Sequence, residues 1–110
     1  MTMLIKSIFV ASPEPIERYT PWDPDSYILS ISVILVWNKE PPESTFTFTF
    51  CSPDSSHRLA DNRYFLLAPF DGEQAKAIVE NTVEKCQRAN FIESIRALQE
   101  FASSDDYEQH

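Results

Sequence analysis

Residues Ser44 to Cys51 read STFTFTFC, and no other segment restricts the fold as much. Phe46, Phe48 and Phe50 fall on one side of an extended chain and Thr45, Thr47 and Thr49 on the other, because side chains alternate across a strand. This is the pattern of an antiparallel strand with one dry face and one wet face. Three aromatics on one face need other strands beside them and a layer above them.

The other elements follow from pattern and punctuation. Met3 to Val10 alternates loosely and suits a first strand. The stretch ASPEPIERYTPWDPD has four prolines between Pro13 and Pro24, which predicts a long surface loop without regular structure. Ser26 to Trp37 makes the second strand, with Tyr27, Leu29, Ile31, Val33, Leu35 and Trp37 on the core face. Ser30, Ser32, Ile34 and Val36 lie on the other. Asn38 to Glu43 turns the chain, since Pro41 and Pro42 cannot donate to a ladder. After STFTFTFC, Ser52 to Asn62 reads as loop and Arg63 to Ala68 as a fourth strand. Asp71 with Gln74 three residues on marks a helix start. Behind it Ala75, Ile78, Val79, Thr82, Val83, Cys86 and Ala89 form one apolar stripe. Asn90 with Glu93 opens a second helix, carrying Phe91, Ile95, Leu98 and Phe101 or Ala102. The predicted fold class is α+β: a four-stranded antiparallel meander with two C-terminal helices packed on one face, ββββαα.

With 110 residues, 43% of them hydrophobic, the chain is expected to form one domain over 1–110, with 104–110 as a frayed tail. Nine basic and 17 acidic residues leave a formal charge of −8. That disfavours nucleic acid, which demands a basic stripe, and suits a basic protein partner. Gly72 is the one glycine in the chain, so neither a phosphate-cradling loop nor a dinucleotide fingerprint can be written. The opening MTMLIKSIFVASPEP lacks the features of a secretory leader, and no apolar run is long enough to span a bilayer. No cofactor and no membrane association are expected.

Cys51 and Cys86 have no CxxC or paired spacing and read as buried free thiols. Cys51 and His57 are six residues apart and could pair a nucleophile with a base, but no orienting group or oxyanion donor is signalled beside them. A zinc site from His57, Cys51, Cys86 and a carboxylate lacks the usual short ligand spacings. The acidic residues are more suggestive. A meander sends alternate connections to opposite ends of the sheet. One end then gathers Glu14, Glu17, Asp23, Asp25, Asp54 and Asp61 against Arg18, Arg58 and Arg63. The other gathers Glu40, Glu43, Asp71 and Glu73, with Asp105, Asp106 and Glu108 arriving from the tail, against Lys39 and Lys76. The expected partner-binding set is Trp22, Asp23, Asp25, Asp54 and Asp61, on the longest loops. The second candidate patch is Glu40, Glu43, Asp105, Asp106 and Glu108. Trp37 is a further aromatic that either packs or anchors a partner.

The segment Glu43 to Pro53, ESTFTFTFCSP, resembles the signature strand of the Immunity protein 8 family: a polar start, alternating aromatic or aliphatic residues, then Cys-Thr/Ser-Pro. Leu4 to Ile8 resembles the family's first strand, Trp22 to Tyr27 its approach to strand two, and Tyr64 to Leu67 its fourth strand. Phe91 to Tyr107, a last helix before an acidic tail, also matches in kind. The chain departs from the pattern at Pro41-Pro42, where relatives usually carry a glycine-containing hairpin, and at Phe91, often a tryptophan. The resemblance implies a cytoplasmic, non-catalytic antidote, encoded beside a polymorphic or contact-dependent toxin, that binds the C-terminal toxin domain. A basic toxin such as a nuclease would suit the charge. A non-catalytic adaptor or assembly subunit is the alternative, and a small cysteine hydrolase a distant third.

Overall fold

In the computed structural model the described residues are 3–10, 14–16, 19, 21–37, 40–59 and 62–104; the side chains of 14, 15, 40–42 and 104 are not among them. The elements in chain order are β1 (Met3–Val10), β2 (Glu14–Pro15), β3 (Ile28–Trp37), β4 (Glu40–Cys51), a 3-10 turn (Pro53–Arg58), β5 (Phe65–Leu66), α1 (Gly72–Lys85), α2 (Phe91–Leu98) and β6 (Ser103–Ser104). The fold is α+β. The sheet order is β2-β1-β3-β4-β5, with β6 also paired to β4.

The phenylalanine face is the centre of the core. Phe46, Phe48 and Phe50 are fully buried with Leu29, Ile31, Val33 and Leu35 of β3, beneath Ala75, Val79 and Val83 of α1 and Ile95 and Leu98 of α2. Among the described residues no helix covers the opposite face, where Ser30 is exposed and Ser32, Thr45, Thr47 and Thr49 are half-buried. Both helix starts form as the capping residues predict. The Asp71 carboxylate accepts the N–H groups of Glu73 (2.9 Å) and Gln74 (3.2 Å), and Asn90 Oδ1 accepts that of Glu93 (2.9 Å).

Several sequence expectations need correction. The sheet is mixed, not an antiparallel meander: β5 runs parallel to β4, pairing Phe50 with Phe65 and Cys51 with Leu66. A parallel neighbour requires the connection to travel back along the sheet before the strand begins, and residues 52–64 provide that length. β5 is also only two residues long, where the sequence suggested Arg63 to Ala68. β1 carries a bulge between Ile5 and Ser7. An extra residue there switches the strand's parity, so Met3 and Ile5 face the core before it and Ile8 and Val10 after it.

The proline-rich loop contains a short edge strand, β2, beside Phe9 and Val10. Proline is tolerated there because an edge needs no donor on its outer side. β4 begins at Glu40, earlier than expected. Val36 pairs with Glu43 and Trp37 with Glu40, so Pro41 and Pro42 occupy an irregularity where their missing N–H groups break no ladder bond. The expected turn residues Asn38 and Lys39 lie outside the described residues. Ser103 and Ser104 pair with Thr47 and Phe46 as β6, and residues 105–110 lie outside the described set.

Candidate functional site

Three chain segments meet where β1 and β4 end and β3 begins. The first is the lead-in to β3, residues 21–27. Asp23 Oδ1 accepts the N–H of Asp25 (3.0 Å) and the Asp23 carbonyl accepts that of Ser26 (3.2 Å), a turn built from its own aspartate. The second is the exit from β4. The Ser52 N–H donates to the Tyr27 carbonyl (3.0 Å), and the Ser52 hydroxyl accepts the Tyr27 N–H (3.0 Å). Asp54 bridges the two segments, accepting from Ser52 Oγ at 2.5 Å and Ser26 Oγ at 2.8 Å. The third is the approach to α1. Phe70 donates its N–H to the Pro24 carbonyl (2.9 Å), and its ring meets Tyr19 and Tyr27 edge-on at 6.2 and 5.4 Å. The Tyr27 hydroxyl donates to the Leu67 carbonyl.

The turn that carries Trp22 is therefore held on several sides. Pro21 before it is buried, yet Trp22 itself is 101% exposed. Burying an indole is among the larger gains a side chain offers, so leaving one fully in water on a braced turn is an uncommon arrangement. Asp23, Asp25 and Asp54 are all exposed around it. Because β5 is parallel to β4, the chain leaves it at this same end. Asp71 and Glu73, expected with Glu40 and Glu43, accordingly follow Phe70 into the neighbourhood of Trp22, and both are exposed.

Hydrogen bonds from Ser52 and Ser26 hold the Asp54 carboxyl below its ordinary value, so it stays ionised. Burial, with a smaller contribution from the Cys51 position, pushes the Tyr27 phenol up to about 12. Of the basic residues expected here, Arg63 turns toward the end of α2 and donates to the carbonyls of Gln99 (3.0 Å) and Ala102 (3.3 Å), while Arg58 is exposed in the 3-10 turn. Asp61, Glu17 and Arg18 lie outside the described residues.

At the opposite end Glu43 is the one member of the second candidate patch whose side chain is among the described residues. The Glu43 carboxylate pairs with the Lys6 ammonium across the sheet, which compensates its charge. Glu40 is placed only as the partner of Trp37 in the ladder, and Asp105, Asp106 and Glu108 lie outside the described residues. Trp37 is half-buried and packs edge-on against Phe91 at 5.7 Å, a core-rim contact.

Cys51 and Cys86 are both buried and unbonded. Burial raises both thiol pKa values, and Asp54 adds to the effect at Cys51. Cys51 is thus a poor nucleophile, closed off from the exposed His57 six residues along. Among the described residues no group of three or more His, Cys, Asp or Glu side chains is placed to hold a metal ion. No described helix is long and apolar enough to cross a membrane.

The parallel placement of β5 could not be read from periodicity, and with it sequence reasoning missed Asp71 and Glu73 as members of the Trp22 end. The one signal available was Pro69-Phe70 directly before the helix cap, a short connection ending in an aromatic that has to pack nearby.

No curated protein and no solved structure matches this chain. The family model described as Immunity protein 8 matches residues 3–108, nearly the whole sequence. The chain belongs to the Immunity protein 8 family.

Proposed function

We propose that this chain neutralises a cognate bacterial toxin by binding its C-terminal toxin domain stoichiometrically, without catalysis, through the end of the sheet that carries Trp22. Its place of action is the cytoplasm, as an antidote within a polymorphic or contact-dependent toxin system. Membership of an immunity-protein family supports the general role. The observation that carries the choice of surface is Trp22, fully exposed on a turn tied to two other segments, with Asp23 and Asp25 in that turn and Asp54 bonded to it through Ser26. A rigid aromatic costs little entropy on burial and supplies an anchor of the kind that dominates interface energy. Asp23, Asp25, Asp54, Asp71 and Glu73 around it favour a basic partner, such as a nuclease whose substrate surface is cationic. Opposite charges would also speed capture, to on the order of 10⁸ per molar per second or more at low salt. Asp61 belongs to the same proposed set by its place in the chain. The patch with Glu40, Glu43, Asp105, Asp106 and Glu108 is the lesser choice, because Lys6 already answers Glu43.

Isothermal titration of the toxin domain into the wild-type chain and into Asp23→Asn/Asp25→Asn, at low and high salt, tests this reading. The double variant should bind more weakly and with a flatter salt dependence at nearly unchanged melting temperature. Equal affinity and equal salt slope would move the interface elsewhere.

A further inference from the structure

One flank of the sheet is left unfinished. β2 covers β1 only at Phe9 and Val10, so among the described residues the outer edge from Met3 to Ser7 pairs with no strand. At Met3 this edge is closed by a side chain: Gln87 Oε1 accepts the Met3 N–H (2.9 Å) and Gln87 Nε2 donates to the Met3 carbonyl (2.7 Å). The Gln87 amide thus takes the two bonds that a neighbouring strand would make. It also fixes the direction of the edge. If Met3 turns both backbone groups outward, antiparallel alternation turns those of Ile5, two residues on and still before the bulge, outward as well.

Beside this edge a groove of about 360 Å³ runs between β1 and α1, lined by Met3, Leu4, Ile5, Val83, Gln87 and the carboxylates Glu80 and Glu84. Its floor is apolar, since Met3 and Val83 are buried, while Glu80 and Glu84 are exposed one helical turn apart on its outer wall. Lys6, beside Ile5 in sequence, pairs with Glu43, and Lys85, beside Glu84, lies over the Phe101 ring at 4.4 Å.

We infer that this groove receives an extended, basic polypeptide segment of a partner protein as an added strand on β1. Ile5 supplies main-chain bonds, the apolar floor takes every second side chain, and Glu80 and Glu84 receive lysine or arginine from the alternate positions. With Met3 held by Gln87, the open edge from Leu4 to Ser7 is about 10 Å long, enough for three or four residues of such a segment. The site is separate from the Trp22 end and does not depend on what binds there.

The probe is an N-acetylated, C-amidated hexapeptide of alternating lysine and valine, titrated into the full ¹⁵N-labelled chain, with the glutamate–valine peptide as control. Saturable amide shifts centred on Leu4, Ile5 and Glu80 to Gln87, seen with the lysine peptide alone, are the expected result. Glu80→Gln/Glu84→Gln, at exposed positions, should weaken binding about fivefold, as two partly exposed ion pairs would. Gln87→Ala should tighten it by at least about twofold, because Met3 then offers its N–H and carbonyl to the peptide. A merely structural Gln87 would give no gain. Absence of saturable shifts, shifts centred on Trp22 to Asp25, or binding unchanged in the double glutamine variant would overturn the inference. So would concentration-dependent dimerisation that protects the same amides, which would give the edge to a second copy of the chain.

Discussion

Truncating Phe48 to alanine tests the packing on which everything else is mounted. Phe48 is 0% exposed, sits opposite Ile31 in the β3–β4 ladder, and its ring stacks on Phe65 at 6.1 Å. The cavity cannot collapse easily, because β3 and the paired ends of β4 fix the backbone on either side. A loss of about 3–5 kcal/mol is therefore expected, the range for phenylalanine removed from a rigid core. With an unfolding entropy of about 2.1 cal/mol/K per residue, that loss lowers the melting temperature of a 110-residue chain by about 13–22 °C. Thr47 is the internal control. It precedes Phe48 on β4 but stands half-buried on the open face beside Ser32, and its pairing with β6 runs through the backbone. Thr47→Ala should cost under about 1 kcal/mol. Calorimetric or circular-dichroism melts of the two variants beside wild type decide the matter. Similar losses for both would refute the facing of β4, and with it the position of the helices.

Asp54→Asn should destabilise the chain at neutral pH, because the carboxylate holds Ser52 and Ser26 together. The folded carboxyl sits below the ordinary value of 3.8, so this stabilisation is complete above that value and is lost as the pH falls beneath it. Melting curves of wild type and variant should converge in acid, and a constant offset down to about pH 2 would contradict the role given to Asp54. Cys51 and Cys86 should resist a thiol reagent in the folded chain and react only on unfolding, since burial both hides them and disfavours the thiolate; rapid labelling of either under native conditions would show the packing to be wrong. Raising the pH from about 10 toward 12 should erode stability as the unfolded Tyr27 ionises before the folded one, whose phenol lies near 12, and Tyr27→Phe should lessen that slope.

What the sequence made legible was what side-chain period and capping chemistry can encode. The caps at Asp71 and Asn90, the alternation of β4 and the apolar stripe of α1 from Ala75 to Cys86 appear where those signals put them. Ala89, by contrast, falls past the helix end and is exposed, and Val36, expected on the open face of β3, is buried. Period says which way a side chain faces, however, and nothing about strand direction. Arg63 to Ala68 could be read as a strand without its polarity, and the parallel choice moved Asp71 and Glu73 to the other end of the molecule. β2 and β6 span two residues each, too few to show a period at all, and are defined only by the strand beside them. The β1 bulge likewise hides in Ile5-Lys6-Ser7-Ile8, where a break in alternation is indistinguishable from a loosely patterned strand. Trp22 was a candidate because it lies in a long loop. Its complete exposure goes with a buried Pro21 and a Phe70 that bonds Pro24 and packs on Tyr19, contacts that only the tertiary arrangement determines.

The central claim is that a toxin domain docks on the Trp22 end, and the most direct measurement is the affinity of Trp22→Ala for the cognate toxin domain. Trp22 makes no core contact that its removal would break, so the variant should melt within about 1 °C of wild type. The wild-type chain should form a one-to-one complex, and Trp22→Ala should lose at least about 2 kcal/mol of binding, roughly thirtyfold in Kd. A stable complex whose Kd is untouched by Trp22→Ala would contradict the account of the surface, and failure of the wild-type chain to bind or neutralise that toxin domain would contradict the function itself.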